Sequence, residues 1–441
     1  MSIPSHLKLT IPDSEDPRIV IIGGGFAGLM LAKGLRKTKA QVVMLDRNNF
    51  HTFQPLLYQV ATAGLEPDSI AGPLRKSLDT QSNYIFRMVK VSGVDMEQNE
   101  VITPVGNLKY DYLVIANGAT TNYFGQEGLR AKVLPLKRVV HALDLRSHIL
   151  QIFEQIELTE DPGIRQRLFN MVVVGGGPTG VEVAGALSEL KNHILPRDYS
   201  DLDLGPMKIS LIEGSPRLLN GMSDAAGENA LKYLQKMGVE VILNTHVKGY
   251  ENGVVDLGGE KIDSETVVWA AGVKGRILSG IADDKTERSR ILVDEYNRVK
   301  GTENVFAIGD VALMETPEYP HGHPMLAPVA MQQGKHLAKN FNHLIEGNEL
   351  KKFSYLDKGS MATIGRNKAV VDMPGGLHVK GFFAWLIWMF VHILYLIGFR
   401  NKLITLNNWI WSYFTYDKGT RLIIRTFLIN KRQKSYAKEQ P

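Results

Sequence analysis

Cysteine is absent from all 441 residues. Disulfides, thiolate-bound iron–sulfur clusters, thiolate zinc sites and cysteine-based catalysis are therefore excluded. An apolar leader core is also missing. The first 17 residues, MSIPSHLKLTIPDSEDP, contain no h-region, and Asp13, Glu15 and Asp16 argue against an Arg-rich transit sequence, so 1–17 reads as a short disordered arm. Acidic side chains are scarce in one place: from Lys380 onward only Asp417 and Glu439 stand against ten Lys/Arg, which makes the net charge of +5 a property of the tail. A basic, aromatic-rich tail suits nucleic acid or an anionic membrane surface, and its long apolar runs favour the membrane over nucleic acid.

Glycine, by contrast, is abundant. The 42 glycines cluster after apolar runs, a distribution that suits close approach of backbone to ligands. Residues 18–34, RIVIIGGGFAGLMLAKG, spell an apolar β-branched strand, a glycine turn and an amphipathic helix, followed by the strand QVVMLD from Gln41. The same grammar returns at 168–190, LFNMVVVGGGPTGVEVAGALSEL, with MKISLIE from Met207 as the next strand. Further strands are expected at Tyr110 to Ile115, at VVWAAG from Val267 and at NVFAIGDVA from Asn304, and a helix near Val140 to Glu157. The fold class is α/β, with two Rossmann-like dinucleotide-binding units and a C-terminal helical segment.

Gly23-x-Gly25-x-x-Gly28 satisfies the dinucleotide fingerprint: the first glycine makes the turn, the second admits the pyrophosphate and the third lets helix and strand pack. The following helix N-terminus supplies an anion site. Asp46, 18 residues after Gly28, is placed to accept from a ribose hydroxyl. Gly175-x-Gly177-x-x-Gly180 repeats the pattern with Glu213 as the acid, 33 residues after Gly180 because a longer helix and loop intervene from Lys191 to Pro206. An acid there disfavours a 2′-phosphate and so predicts NADH over NADPH, while nearby Arg217 leaves that preference open. Two fingerprints call for two dinucleotides, a resident flavin and a diffusing nicotinamide.

Asn304 to Ala312, with Gly309 and Asp310 together, resembles the second FAD motif of the glutathione-reductase-like flavoproteins, in which the aspartate binds the ribityl chain; Ala116 to Ala119 and Ala270 to Gly272 resemble that group's interdomain motifs. Within the group, His51 to Leu65, HTFQPLLYQVATAGL, is similar to the signature of type II NADH:quinone oxidoreductases, and the absence of redox cysteines agrees. Leu326 to Gly334, LAPVAMQQG, resembles that family's Ala-Gln-x-Ala-x-Gln stretch beside flavin and quinone headgroup; Ala327, Ala330 and Gln332 fit, whereas Pro328 replaces the first glutamine. Proline suits a first helical turn, and Gln332 is either a quinone contact or a satisfied interhelical polar residue. Glu182 matches the family's glutamate near flavin and nicotinamide, against the alternative of a first-turn acid favoured by the helix dipole.

The resemblance implies FAD held by Gly23, Gly25, Phe26, Ala27, Gly28, Asp46, Arg47, Gln54, Ala116, Gly118, Gly309, Asp310, Ala327, Pro328 and Val329. NADH falls to Gly175, Gly177, Pro178, Thr179, Gly180, Glu182, Glu213, Ala271 and Gly272. Glu182, Gln332 and Lys380 are the catalytic candidates, Lys380 either facing a quinone channel or snorkelling at the surface. Hydride would pass from nicotinamide to flavin N5, and two electrons then to a membrane quinone. No metal is called for: His321 and His323 lack a partnering carboxylate–His pattern. The expected domains are 18–120 with 300–375 for FAD, 121–299 for NADH with its linkers, and 376–441 as membrane anchor.

Residues 381–399, GFFAWLIWMFVHILYLIGF, have the length of a bilayer span, yet Trp385 and Trp388 lie inside the run and Lys380, Arg400 and Lys402 flank both ends. Trp409, Trp411, Tyr413 and Phe414, then Arg421 and Arg425 among Leu422, Ile423 and Ile424, continue as amphipathic sequence suited to the headgroup plane. The family resemblance implies a monotopic membrane anchor and a homodimer, and the supply of NADH implies the cytoplasmic side of a bacterial membrane or an organelle with internal NADH. An NAD(P)H-dependent ferredoxin- or rubredoxin-type reductase, which would not need this tail, and a flavin-bound redox sensor or membrane-tethered binding protein, which would show no turnover, are the competing functions.

Overall fold

The computed structural model describes residues 6–78, 81–416, 419–423 and 427. The first five residues of the expected arm, and Asp417, Ile424, Arg425 and Glu439 of the tail, lie outside the described residues. The chain divides into two compact units, one of residues 1–52, 72–120 and 273–357, the other of 53–71, 121–272 and 358–441.

The first unit is built on a five-stranded parallel sheet in the order Val305–Ala307, Tyr112–Ile115, Arg18–Ile22, Gln41–Asp46, Tyr84–Met88. Its central strand is apolar at every position after Arg18 because both faces are covered, as parallel sheets require. Val20 and Ile22 pack with Val43, Leu45, Leu113 and Ile115, while Ile19 and Ile21 are fully buried on the opposite face. The helices Phe26–Gly34 and Ala327–Ile345 lie against each other. From Leu7 to Pro17 the chain is tethered rather than loose. Leu9 N–H donates to Val105 O at 2.7 Å, Pro12 O accepts from Gln41 Nε2 at 2.8 Å, and Leu9 and Ile11 pack on the core. Leu9 and Ile11 carry that attachment, while Leu7 is exposed.

The second unit repeats the plan with a parallel sheet ordered Leu134–Pro135, Thr266–Trp269, Met171–Val174, Ile209–Ile212, Val239–Ile242. The helix Pro178–Glu189 runs on through a π-helical turn at Leu190–Ile194 and a last turn at Leu195–Asp198 before the loop to Met207. An antiparallel sheet of Ser360–Gly365, Lys368–Asp372 and His378–Lys380 leads into the helices Gly381–Tyr395 and Phe399–Thr415. The apolar run at 381–399 is thus broken: its helix stops at Tyr395, and Gly398, at φ +87°, starts the next one. Fifteen residues reach roughly 22 Å at 1.5 Å per residue, short of a hydrocarbon core of about 30 Å. No helix among the described residues is long and apolar enough to cross a membrane.

Candidate functional site

In the first unit the strand Arg18–Ile22 ends in Gly23, which adopts φ +109° and lies so near its neighbour that a Cβ would sit 2.5 Å from Ala116 O. Gly28 is closer still: a Cβ there would meet Gly23 O at 1.9 Å. Gly25, the residue capping the helix Phe26–Gly34, has open space where its Cβ would be. First and third glycines thus serve the turn and the packing, and the second leaves a cradle. Asp46 closes the next strand and clasps the turn, one carboxylate oxygen accepting from Gly24 N–H at 2.7 Å and the other from Asn48 N–H at 2.7 Å. Burial raises its pKa, and those two bonds with Arg47 and Arg276 oppose the rise.

His51, which carries no assigned role in the sequence reading although it opens the family-like string, stands at the same turn. Its Nδ1 lies 3.0 Å from Gly24 O, an acceptor only, so Nδ1 bears the hydrogen and Nε2 is a bare acceptor. That Nε2 is buried without a hydrogen-bond partner, and burial drops the imidazole pKa to about 4. Phe26 packs edge-on against it at 4.9 Å. An open glycine cradle beside an unsatisfied acceptor fits a dinucleotide able to donate a hydroxyl hydrogen.

Further along the unit, Gly309 N–H donates to Gln333 Oε1 at 2.7 Å, which ties the Gly309–Asp310 turn to the helix Ala327–Ile345. Gln333, not Gln332, makes that buried link; nothing in the sequence distinguishes the two side chains before helix phase is known. Gln332 instead brackets a loop, donating to Leu356 O at 2.9 Å and accepting from Leu356 N–H at 3.0 Å. Ala327, Pro328 and Val329 form the first turn of their helix, with Pro328 in the position where its missing N–H costs nothing. Gly118 O accepts from Arg276 N–H at 3.0 Å, and Ala116 N–H donates to Ile22 O at 2.9 Å. Of the flavin candidates, Gln54 alone belongs to the second unit. His323 of the HGH pair is buried among Tyr319, Phe353 and Tyr355, its carbonyl accepting from Arg290.

The second unit reproduces the first turn almost atom for atom. Gly175 adopts φ +111°, a Cβ there would sit 2.5 Å from Ala270 O and from Ala271 Cα, and one on Gly180 would meet Gly175 O at 1.8 Å. Gly177 caps the helix Pro178–Glu189 and again has open space. Glu213 accepts from Gly176 N–H at 2.5 Å and from Ser215 N–H at 2.7 Å, as Asp46 does in the other unit. Pro178 and Thr179 open the helix, and Gly272 O accepts from Asn122 N–H. Arg217 is engaged by Asp224 and Asn220.

Glu182 lies beyond the first turn of its helix and is buried, so a surface acid steadied by the helix dipole does not describe it. Desolvation holds its pKa well above the usual carboxylate range, with the Thr363 backbone and the Trp388 indole pulling the other way. Trp388 stacks on His392 at 4.1 Å and meets Trp409 at 5.5 Å; His392, buried, is pushed down to about 4. Tyr58, Trp388, His392 and Trp409 escape the sequence reading as site residues because their convergence depends on three separate helices. Lys380 caps the helix Gly381–Tyr395 at the surface and its ammonium reaches Asn229 Oδ1 at 3.4 Å.

A family model described as pyridine nucleotide-disulphide oxidoreductase matches residues 17–334, and one described as NDH2 C-terminal domain matches residues 358–415. The chain is 36% identical to type II NADH:quinone oxidoreductase Ndh of Mycobacterium tuberculosis, over 92% of this chain and 91% of that protein. It is 30% identical to the internal alternative NAD(P)H-ubiquinone oxidoreductase A1, mitochondrial, of Arabidopsis thaliana, over 91% of this chain and 85% of that one. Among solved structures, NDH2 from Plasmodium falciparum in complex with NADH shares the fold, with a TM-score of 0.84 at 22% identity, covering 93% of this chain and all of that one.

Proposed function

We propose that this chain, which belongs to the type II NADH:quinone oxidoreductase family, oxidises NADH and passes two electrons through non-covalently bound FAD to a membrane quinone, without driving charge across the membrane. The observation that carries the reading is the duplicated glycine turn, each copy clasped by an acid, in a chain that has no thiol to relay electrons. FAD is assigned to the first unit, where Gly309 and Asp310 add a second backbone approach, and NADH to the second. When bound, the flavin supplies a centre that takes a hydride and releases electrons to a quinone. The protein's share is to cradle each pyrophosphate at a helix N-terminus, to hold each ribose against Asp46 or Glu213, and to present Glu182 as the group that takes up or gives back a proton. The decisive experiment is optical: the purified yellow protein is expected to bleach with NADH and recolour with a water-soluble quinone. A yellow protein that never bleaches would remove the enzyme reading in favour of a sensor.

NADH is expected to be preferred over NADPH by at least about tenfold in kcat/KM, a difference of roughly 1.4 kcal/mol. Glu213 would meet a 2′-phosphate with like charge, and Arg217 is already engaged by Asp224. Equal use of both cofactors, measured side by side, counts against this assignment.

The C-terminal helices support attachment to a membrane surface. Gly381–Tyr395 buries Ala384, Trp388 and His392, one stripe, while Phe382, Phe383, Phe390 and Leu394 are exposed; Phe399–Thr415 likewise exposes Phe399, Leu403, Ile410, Trp411 and Phe414. Flanked by Arg400 and Lys402, these faces suit the headgroup plane on the cytoplasmic side, where NADH is made. The protein is expected to float with phosphatidylglycerol vesicles, and Phe383→Glu with Trp411→Glu to weaken flotation. A wild-type protein that stays unbound and sediments as a dimer would give that face to a second copy instead.

A further inference from the structure

In the second unit the loop 122–126 is fixed at its base. Asn122 donates its backbone N–H to Gly272 O at 3.0 Å, its carbonyl accepts from the Trp269 indole at 2.8 Å, and its Oδ1 accepts from Phe124 N–H at 2.9 Å. Tyr123 is buried against Trp269, the ring centroids 6.0 Å apart, and Gln126 Nε2 donates to Val247 O at 3.1 Å. Between these ties Phe124 takes φ +51° and is 60% exposed. A lone exposed aromatic is ordinary on a protein surface. One held out by left-handed backbone is not, since a bulky residue persists there when its surroundings over-determine the conformation. The Phe124 ring lies on Gly272, where a Cβ would come within 3.3 Å of Phe124 Cζ.

Sheet order says which half of a dinucleotide would meet that ring. The strand Met171–Val174 lies between Ile209–Ile212 and Thr266–Trp269, all parallel. Its turn leads to the open cradle at Gly177, and Glu213 follows the strand on one side. A dinucleotide whose pyrophosphate rests on the middle turn and whose adenosine ribose meets Glu213 must carry its other nucleoside over the remaining neighbour. That neighbour continues from Trp269 through Ala270 and Ala271 to Gly272, close enough to the turn that a Cβ on Gly175 would sit 2.5 Å from Ala270 O. Gly272, with Phe124 on it, thus borders the nicotinamide half. We propose that Phe124 packs against the nicotinamide riboside of NADH and orients it for hydride transfer. The proposal rests on the placement of NADH in the second unit. It supplies a contact for the half of the molecule that the glycine turn and Glu213 do not hold. A phenyl ring has no donor or acceptor, so Phe124 acts by shape and contact and moves no proton.

The test is made on the flavin-loaded, full-length protein. Stopped-flow bleaching is followed against NADH concentration, which separates affinity from the limiting rate of reduction. ADP-ribose, which keeps the adenosine and pyrophosphate but has no nicotinamide, competes in parallel and reports the adenosine end alone. In Phe124→Ala the half-saturating NADH concentration is expected to rise by about five- to tenfold and the limiting rate to fall by about tenfold, while the ADP-ribose inhibition constant stays within about twofold. FAD content and Tm are expected to be unchanged, because the ring is exposed. Phe124→Tyr, which keeps the ring, is expected to restore both NADH parameters. Asn122→Ala keeps both backbone bonds of that residue and loses only the tie to Phe124 N–H. It is expected to shift the same parameters less, with no further shift when added to Phe124→Ala. Equal weakening of NADH and ADP-ribose, or no change in either, overturns the proposal alone. A Phe124→Ala protein that handles NADH like the wild type but floats less with vesicles also overturns it and gives the ring to the lipid surface. If ADP-ribose does not compete with NADH in the wild type, the placement of NADH in the second unit falls, and the role of Phe124 with it.

Discussion

Gly180→Ala is expected to give a yellow protein that NADH no longer bleaches, and Gly28→Ala a colourless one. The two residues occupy equivalent places, and in each the added methyl would fall less than 2 Å from a carbonyl oxygen, at 1.8 Å from Gly175 O and 1.9 Å from Gly23 O. Backbone cannot yield by that much without opening the turn that, on the proposed assignment, would point the helix N-terminus at a pyrophosphate. Displacing a bound reactant by an ångström costs about 100-fold, so the rate of NADH bleaching in Gly180→Ala is expected to fall by at least that factor. Gly177→Ala provides the control for folding. Nothing lies within 4 Å of the position its Cβ would take, so the protein should keep its Tm. Any loss of NADH affinity then reports the ligand's approach to that backbone and not damage to the turn. Colour, measured as flavin absorbance per chain, separates the two units: loss of flavin in Gly180→Ala and retention in Gly28→Ala would reverse the assignment of the dinucleotides.

Glu182→Gln is expected to keep FAD, to cut turnover by about 100-fold or more and to flatten the dependence of stability on pH. The sign follows from its burial. The folded carboxyl has a raised pKa because charge is costly where it sits, whereas in the unfolded chain it ionises near the ordinary value. Between those two values the native state holds the extra proton, so stability is complete below the unfolded pKa and declines as pH rises toward the folded one. Glutamine is neutral throughout. The denaturant midpoint of the wild type should therefore fall relative to that of Glu182→Gln as pH rises from mildly acidic to alkaline, the contributions of the other shifted groups being common to both proteins. A variant as active as the wild type removes the proton role; parallel stability curves remove the claim that the carboxyl is desolvated.

The two nucleotide turns were legible because each uses local grammar. A β-branched run, glycines at fixed intervals and an acid at the end of the next strand require neighbours close in sequence, and the strand Gln41–Asp46 and the helix Val139–Glu157 fall within a residue or two of where periodicity puts them. What the acids do was less apparent. Spacing places Asp46 and Glu213 as ribose partners, whereas in the structure each ties its own glycine turn through one backbone N–H, of Gly24 or Gly176, a contact across neighbouring strands that no spacing encodes, and closes a local turn through a second, of Asn48 or Ser215. The pair Gln332 and Gln333 shows the same limit at shorter range. Adjacent residues on a helix point about 100° apart, so one brackets Leu356 and the other reaches Gly309.

The tail divides the two kinds of information sharply. Composition alone made it basic, aromatic and apolar, and its surface chemistry follows from that. Whether 381–399 forms one span or a shorter helix depended on Gly398 and on which stripe found a partner, since hydropathy averages over all faces of a helix. By itself the sequence determined two dinucleotide turns, the absence of thiol chemistry and a cationic, greasy end. Only the tertiary structure decided that Glu182 is desolvated and that Trp409, Gln59 and Tyr58 form a line of hydrogen bonds, 350 residues separating the ends of one bond. Desolvation and hydrogen-bond direction depend on everything that surrounds an atom, and those surroundings exist once distant segments have packed.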